Sequence, residues 1–122
     1  TRFVASEECD AHINFKQAYV DATEEDVAII QSPVGLPGRA IRNNFIRRLE
    51  KQNEAVDVCY NCIQTCDPKT TPYCISQALI RSVTGDVKNG LVFCGENVTR
   101  VDRIKPLKEI MEDIVQEAAE IE

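Results

Sequence analysis

Thr1-Arg2-Phe3-Val4-Ala5-Ser6-Glu7-Glu8-Cys9-Asp10-Ala11-His12-Ile13-Asn14-Phe15-Lys16 opens the chain, and the reading of this stretch governs what the rest can be. Ser6 is a good helix N-cap, and Glu7 and Glu8 stand where the positive end of a helix dipole favours carboxylates. Ala11, Phe15, Ala18 and Ala22 then recur at helical spacing, which predicts a first helix over residues 6–22. His12 falls on that helix, where a lone histidine serves packing or capping more often than proton transfer. The opening residues have neither an initiating Met nor a basic segment followed by an apolar one, so the start reads as a cut rather than a signal peptide.

Working outward, Val27-Ala28-Ile29-Ile30 is short, partly β-branched and stopped by Ser32-Pro33, which predicts a strand. Gly35-Leu36-Pro37-Gly38 reads as a turn with Pro near a helix start, and Ile41, Phe45 and Leu49 form one face of a second helix. Residues 52–72 hold no sustained period and read as a loop with at most a short helix. Pro72 can open a third helix with Ile75, Leu79 and Val83 on one face, and Gly85 stands where a C-terminal cap is wanted. Asn89-Gly90 is a turn signal, followed by a short strand at Leu91-Val92-Phe93-Cys94. Leu107, Ile110, Met111, Ile114, Ala118 and Ile121 give the cleanest amphipathic pattern. The two strands lack an evident partner, so the expectation is a mostly helical α+β architecture that looks incomplete, without a sheet of any size.

The 122 residues carry 14 Lys plus Arg against 20 Asp plus Glu, a net charge of -6. A protein that coats nucleic acid needs a basic excess to neutralise phosphates, so no nucleic-acid partner is expected. No apolar run approaches the roughly 20 residues of a membrane-spanning helix, so no membrane partner is expected and the location reads as cytoplasmic.

Three side-chain groups carry candidate chemistry. Arg39, Arg42, Arg47, Arg48 and Lys51 make the second helix basic. They form either a solvated face or, at Arg39 and Arg42, a site for an anionic small-molecule substrate near the helix start. Gly95-Glu96-Asn97 either brings backbone and Glu96 close to a cofactor or substrate, or is a simple turn. Of the six cysteines, Cys9 and Cys94 stand apart, while Cys59, Cys62, Cys66 and Cys74 fall within sixteen residues as Cys-x2-Cys-x3-Cys-x7-Cys. Soft, charged thiolates at such spacing suit one iron–sulfur cluster or zinc ion, with free thiols or incidental disulfides as the alternative.

Several of these stretches resemble one family. Thr1-Arg2-Phe3-Val4, then Glu8-Cys9-Asp10-Ala11-His12 and Asn14-Phe15-Lys16, resembles a segment of the flavin-dependent nitronate monooxygenases (2-nitropropane dioxygenases), shared by the flavin-type enoyl-acyl-carrier-protein reductases. Here Ile13 stands where Pro is usual and Phe15 where Tyr is common. The run from Ser32 to Asn43 resembles the next landmark of these enzymes, and the run from Gly90 to Glu96 a later glycine-containing active-site segment.

A complete (β/α)8 barrel of this type takes about 250 residues. The resemblance therefore implies the C-terminal third of an FMN-binding TIM barrel with its helical cap. Residues 1–24 would end the last strand and form the following helix, 25–104 a cap subdomain with the cysteine cluster, and 105–122 the final helix. It implies FMN as cofactor and a nitronate substrate oxidised with oxygen, or, in the reductase alternative, NAD(P)H and an enoyl thioester. Thr1 and Arg2 would bind the cofactor at the phosphate corner, while Arg39, Arg42 and Glu96 would face the substrate. The proton-transferring His would lie upstream, so no catalytic residue is assigned within these residues. The first three cysteine spacings resemble the four-iron motif of dienoyl-CoA reductase-type flavin barrels, whereas nitronate monooxygenases do not require them. A rival from another class is a non-enzymatic cysteine–metal interaction module. By itself the 122-residue chain is expected to be inactive and to self-associate.

Overall fold

The computed structural model describes residues 1–121. The apolar run at its centre forms strand β1 (Val27–Gln31), which pairs antiparallel with β2 (Pro37–Ile41) in a register running from Val27 opposite Ile41 to Gln31 opposite Pro37. The connecting turn lies earlier than the sequence suggested. The Gly35 N–H donates to the Ser32 carbonyl at 3.0 Å, with Gly35 at φ 87°, a conformation that glycine adopts without strain. Pro37 begins a strand rather than a helix, because at the first strand position its missing N–H removes no interior ladder bond. Residues 91–94 lie along the other edge of β2: Ile41 N–H donates to the Val92 carbonyl and Cys94 N–H to that of Arg39, each at 2.9 Å. The partner strand that the sequence seemed to lack is thus β2, hidden behind its own Pro-Gly pair.

The first helix also departs from expectation. Helix α1 spans Ile13–Asp21, with the His12 ring nitrogen accepting from the Asn14 N–H at 3.0 Å. Ser6 is buried and its neighbourhood runs as a short parallel bridge beside Lys105, where Glu7 N–H donates to the Lys105 carbonyl at 3.0 Å and Lys105 N–H to that of Ala5 at 3.2 Å. That backbone is committed to another segment and cannot be helical. His12 as a cap agrees with the sequence reading.

Helix α2 is Asn44–Leu49, shorter than its apolar spacing implied because Ile41 ends β2. Asn43 caps it by accepting from Ile46 N–H at 3.0 Å, and its amide donates to the Val87 and Gly90 carbonyls at 2.7 and 2.8 Å. Helix α3 (Ile75–Val83) stops as expected at Gly85, φ 119°. Gly85 N–H donates to the Ser82 carbonyl and Asp86 N–H to that of Arg81, the paired bonds of a Schellman cap. Helix α4 (Leu107–Glu120) matches the expected final helix. Residues 52–72 form neither helix nor strand.

Two apolar clusters flank the hairpin. Ala28, Ala40, Phe45, Ile46, Tyr73, Ala78 and Leu91 make one, with the Phe45 and Tyr73 rings edge-to-face at 5.3 Å. Tyr19, Ile41, Val92 and Val98 make the other, which ties α1 to β2 and to the short 3-10 turn Val98–Arg100. The result is a mixed α/β arrangement in which β2 stands between both clusters.

Candidate functional site

The opening residues fold as turns against residues 95–107 and line a cavity of about 440 Å³. The Thr1 carbonyl accepts from Val4 N–H at 3.1 Å, and the Thr1 hydroxyl accepts from Gly95 N–H at 3.0 Å. The buried Val98 anchors the turn that presents Asn97 and Arg100 to this cavity, and α4 contributes Asp113 and Glu117. Thr1, Arg2 and Glu96, assigned to cofactor and substrate from sequence, therefore meet at one place.

The electrostatics are closely matched. Four cations (Arg2, Arg100, Arg103, Lys105) and four carboxylates (Glu96, Asp102, Asp113, Glu117) line the cavity. Arg2 reaches Glu117 at 3.2 Å and Lys105 reaches Asp113 at 2.8 Å. That hydrogen bond raises the Lys105 ammonium above its ordinary value and holds the Asp113 carboxyl below its own. Arg103 pairs with Glu109. Arg100 has no carboxylate partner among the described residues. A hydroxyl that accepts one bond still has its hydrogen to donate. The Thr1 hydroxyl and the Arg100 guanidinium are thus available to an anion at this cavity. Lys105, Arg100 and Asp113 were missed in the sequence, where nothing marked a residue about 100 positions from Thr1 as its neighbour.

Arg39 and Arg42 are not brought to this cavity. Arg42 is exposed and pairs with Glu50 at 2.8 Å. Arg39 is half-buried on β2 near Cys94, whose thiol is raised by burial and partly lowered again by that guanidinium. Beside them, Tyr19 donates to the Phe93 carbonyl, and burial, reinforced by Cys94 and Cys9, pushes its phenol up to about 12.

Cys59, Cys62, Cys66 and Cys74 all line a second cavity of about 200 Å³, and all six cysteines are free thiols. Among the described residues no group of three or more His, Cys, Asp or Glu side chains already converges as a metal-binding set. The structure gathers the four cysteines around one space without closing them on a centre. No described helix is long and apolar enough to cross a membrane.

The sequence profile of the nitronate monooxygenase family matches residues 1–117. The chain belongs to this family. Among solved structures, this nitronate monooxygenase family chain is similar to FabK from Thermotoga maritima, with a TM-score of 0.73 and 30% identity over 98% of the chain and 35% of FabK. A FabK M276A mutant from the same organism gives 0.71 and 30%, over 99% of the chain and 32% of the mutant. The family chain thus spans about a third of the length of the structures it matches. No curated protein matches it.

Proposed function

We propose that this chain is the C-terminal portion of an FMN-dependent oxidoreductase of the nitronate monooxygenase type, which oxidises small alkyl nitronates with oxygen. The family match over residues 1–117 carries the reading, and the Thr1–Gly95–Arg100 cavity supports it as the phosphate corner. The Thr1 hydroxyl, held by the Gly95 N–H, would donate to a phosphate oxygen, and Arg100 would supply positive charge beside it. Glu117 and Asp113 hold Arg2 and Lys105 at the rim. Arg39 and Arg42 are candidates for an anionic substrate, and Glu96, which lines the same cavity as Thr1, would face the substrate from there. When bound, the flavin supplies the electron transfer between substrate and acceptor.

The likeness to FabK favours a second reading, an NAD(P)H-dependent enoyl-acyl-carrier-protein reductase of the flavin type. The two are separated by assaying the full-length protein with FMN, measuring oxygen uptake on an alkyl nitronate and NAD(P)H oxidation on an enoyl thioester. Nitronate-dependent oxygen uptake is expected. Thioester-dependent NAD(P)H oxidation alone selects the second reading, and neither activity overturns both. Thr1→Val should weaken FMN binding about 10-fold or more, the loss expected for one hydrogen bond to a charged group. Fluorescence titration of flavin checks this.

A further inference from the structure

Residues 54–72 form a loop that is fastened at its base and unfinished within. The Glu54 N–H donates to the Pro72 carbonyl at 2.8 Å, Arg48 holds the Glu54 carboxylate at 2.6 Å, and Tyr73 beyond it is fully buried. Between these anchors the chain makes only short turns, and it leaves Val58 and Tyr60 exposed. A segment with so little buried apolar surface has little to offset the entropy of ordering it. Yet its polypeptide is shaped. Asn61 is held at φ 53°, the left-handed region that turns the chain between Cys59 and Cys62, and the Ser76 hydroxyl reaches the Cys62 sulfur at 3.0 Å.

All four clustered cysteines line the same cavity of about 200 Å³. Cys74 is the N-cap of the nine-residue helix α3 and its side chain makes no capping bond. Its sulfur is therefore free for another partner. Cys59-x2-Cys62 is the spacing at which one turn places two thiolates on the same ion.

We propose that Cys59, Cys62, Cys66 and Cys74 close around a single thiolate-bound metal centre, either a zinc ion or an iron–sulfur cluster, and that this centre completes the folding of residues 54–74. The thiols lose their protons on binding, and the free energy of binding becomes free energy of loop folding. The site is independent of the flavin reading, and its test needs no activity.

The test uses full-length protein purified without oxygen, because oxygen destroys clusters and leaves disulfides behind. Iron, zinc and acid-labile sulfide are quantified per chain. Zinc without sulfide identifies the ion, and iron with sulfide and visible absorption identifies the cluster; neither metal overturns the proposal. Alkylation followed by peptide mapping should show the four thiols protected until a chelator removes the metal, with Cys9 and Cys94 indifferent to it. Equal labelling of all six before and after chelation also overturns it, and this readout survives if a variant fails to fold. C59S, C62S, C66S and C74S should each lower retained metal about ten-fold or more. C9S and C94S should retain it. Retention by all four cluster variants refutes a shared centre.

Discussion

At Gly90 a single methyl group decides whether residues 91–94 can reach β2. A Cβ there would lie 2.5 Å from the Ser82 backbone nitrogen and 2.8 Å from the Ala78 carbonyl oxygen, neither of which can swing aside. Gly90→Ala should therefore cost at least the upper part of the ~1–3 kcal/mol typical of overpacking. A lower urea midpoint at unchanged m-value is the expected signature. At Gly38 the obstruction is the Phe93 ring at 2.6 Å, a side chain that can turn, so Gly38→Ala should cost less. The sequence marked Gly90 as a turn signal, but only the packing of Ser82 beneath it shows why no larger residue serves. Tyr19 gives a pH-dependent case. Its phenol rises from 10.0 to about 12 on folding, so the stability it contributes is complete below pH 10 and is lost as pH climbs towards 12. Tyr19→Phe should flatten that alkaline slope, yet cost about 1–3 kcal/mol at neutral pH by leaving the Phe93 carbonyl without its donor. Thermal melts across the alkaline range test both.

Helices α3 and α4 were legible because their apolar stripes are uninterrupted and their ends carry ordinary signals, Gly85 above all. β2 was not, because Pro37 and Gly38 punctuate a sequence in the same way whether they end an element or begin one. The start of α1 was misplaced for a different reason. Ser6, Glu7 and Glu8 all read as helix-start residues, but only Glu8 caps a helix, and it does so elsewhere: its carboxylate accepts the Leu107 N–H at 2.8 Å, at the first turn of α4. A local pattern cannot say which helix it serves. Glu8→Ala should destabilise by about 0.5–2 kcal/mol, the usual worth of a cap. Hydrogen exchange should quicken in the first turn of α4 and leave α1 unchanged.

Across the molecule, apolar side chains are unevenly covered. Ile29 and Leu36 on the hairpin are 71% and 70% exposed, and Leu107, Met111 and Val115 leave the surface of α4 uncovered. Surfaces of this kind associate in water, so the 122-residue chain alone should self-associate and should bind FMN weakly. A strictly monomeric sedimentation profile, or tight stoichiometric flavin binding, would count against this. Of the cavity, the sequence supplied Thr1, Arg2 and Glu96 through resemblance. Lys105, Arg100 and Asp113 arrive by tertiary closure, which no local spacing encodes. The same closure fixes an order of events. The bonds from Thr1 to Gly95, from Ala5 and Glu7 to Lys105, and from Glu8 to Leu107 all join segments far apart in the sequence, 94 positions for the first and 99 for the last. Contacts this distant along the chain form late and slowly. The hairpin and α3 rest on near neighbours in the chain and can assemble first, but the cavity between the opening residues and residues 95–107 closes only when those distant segments meet.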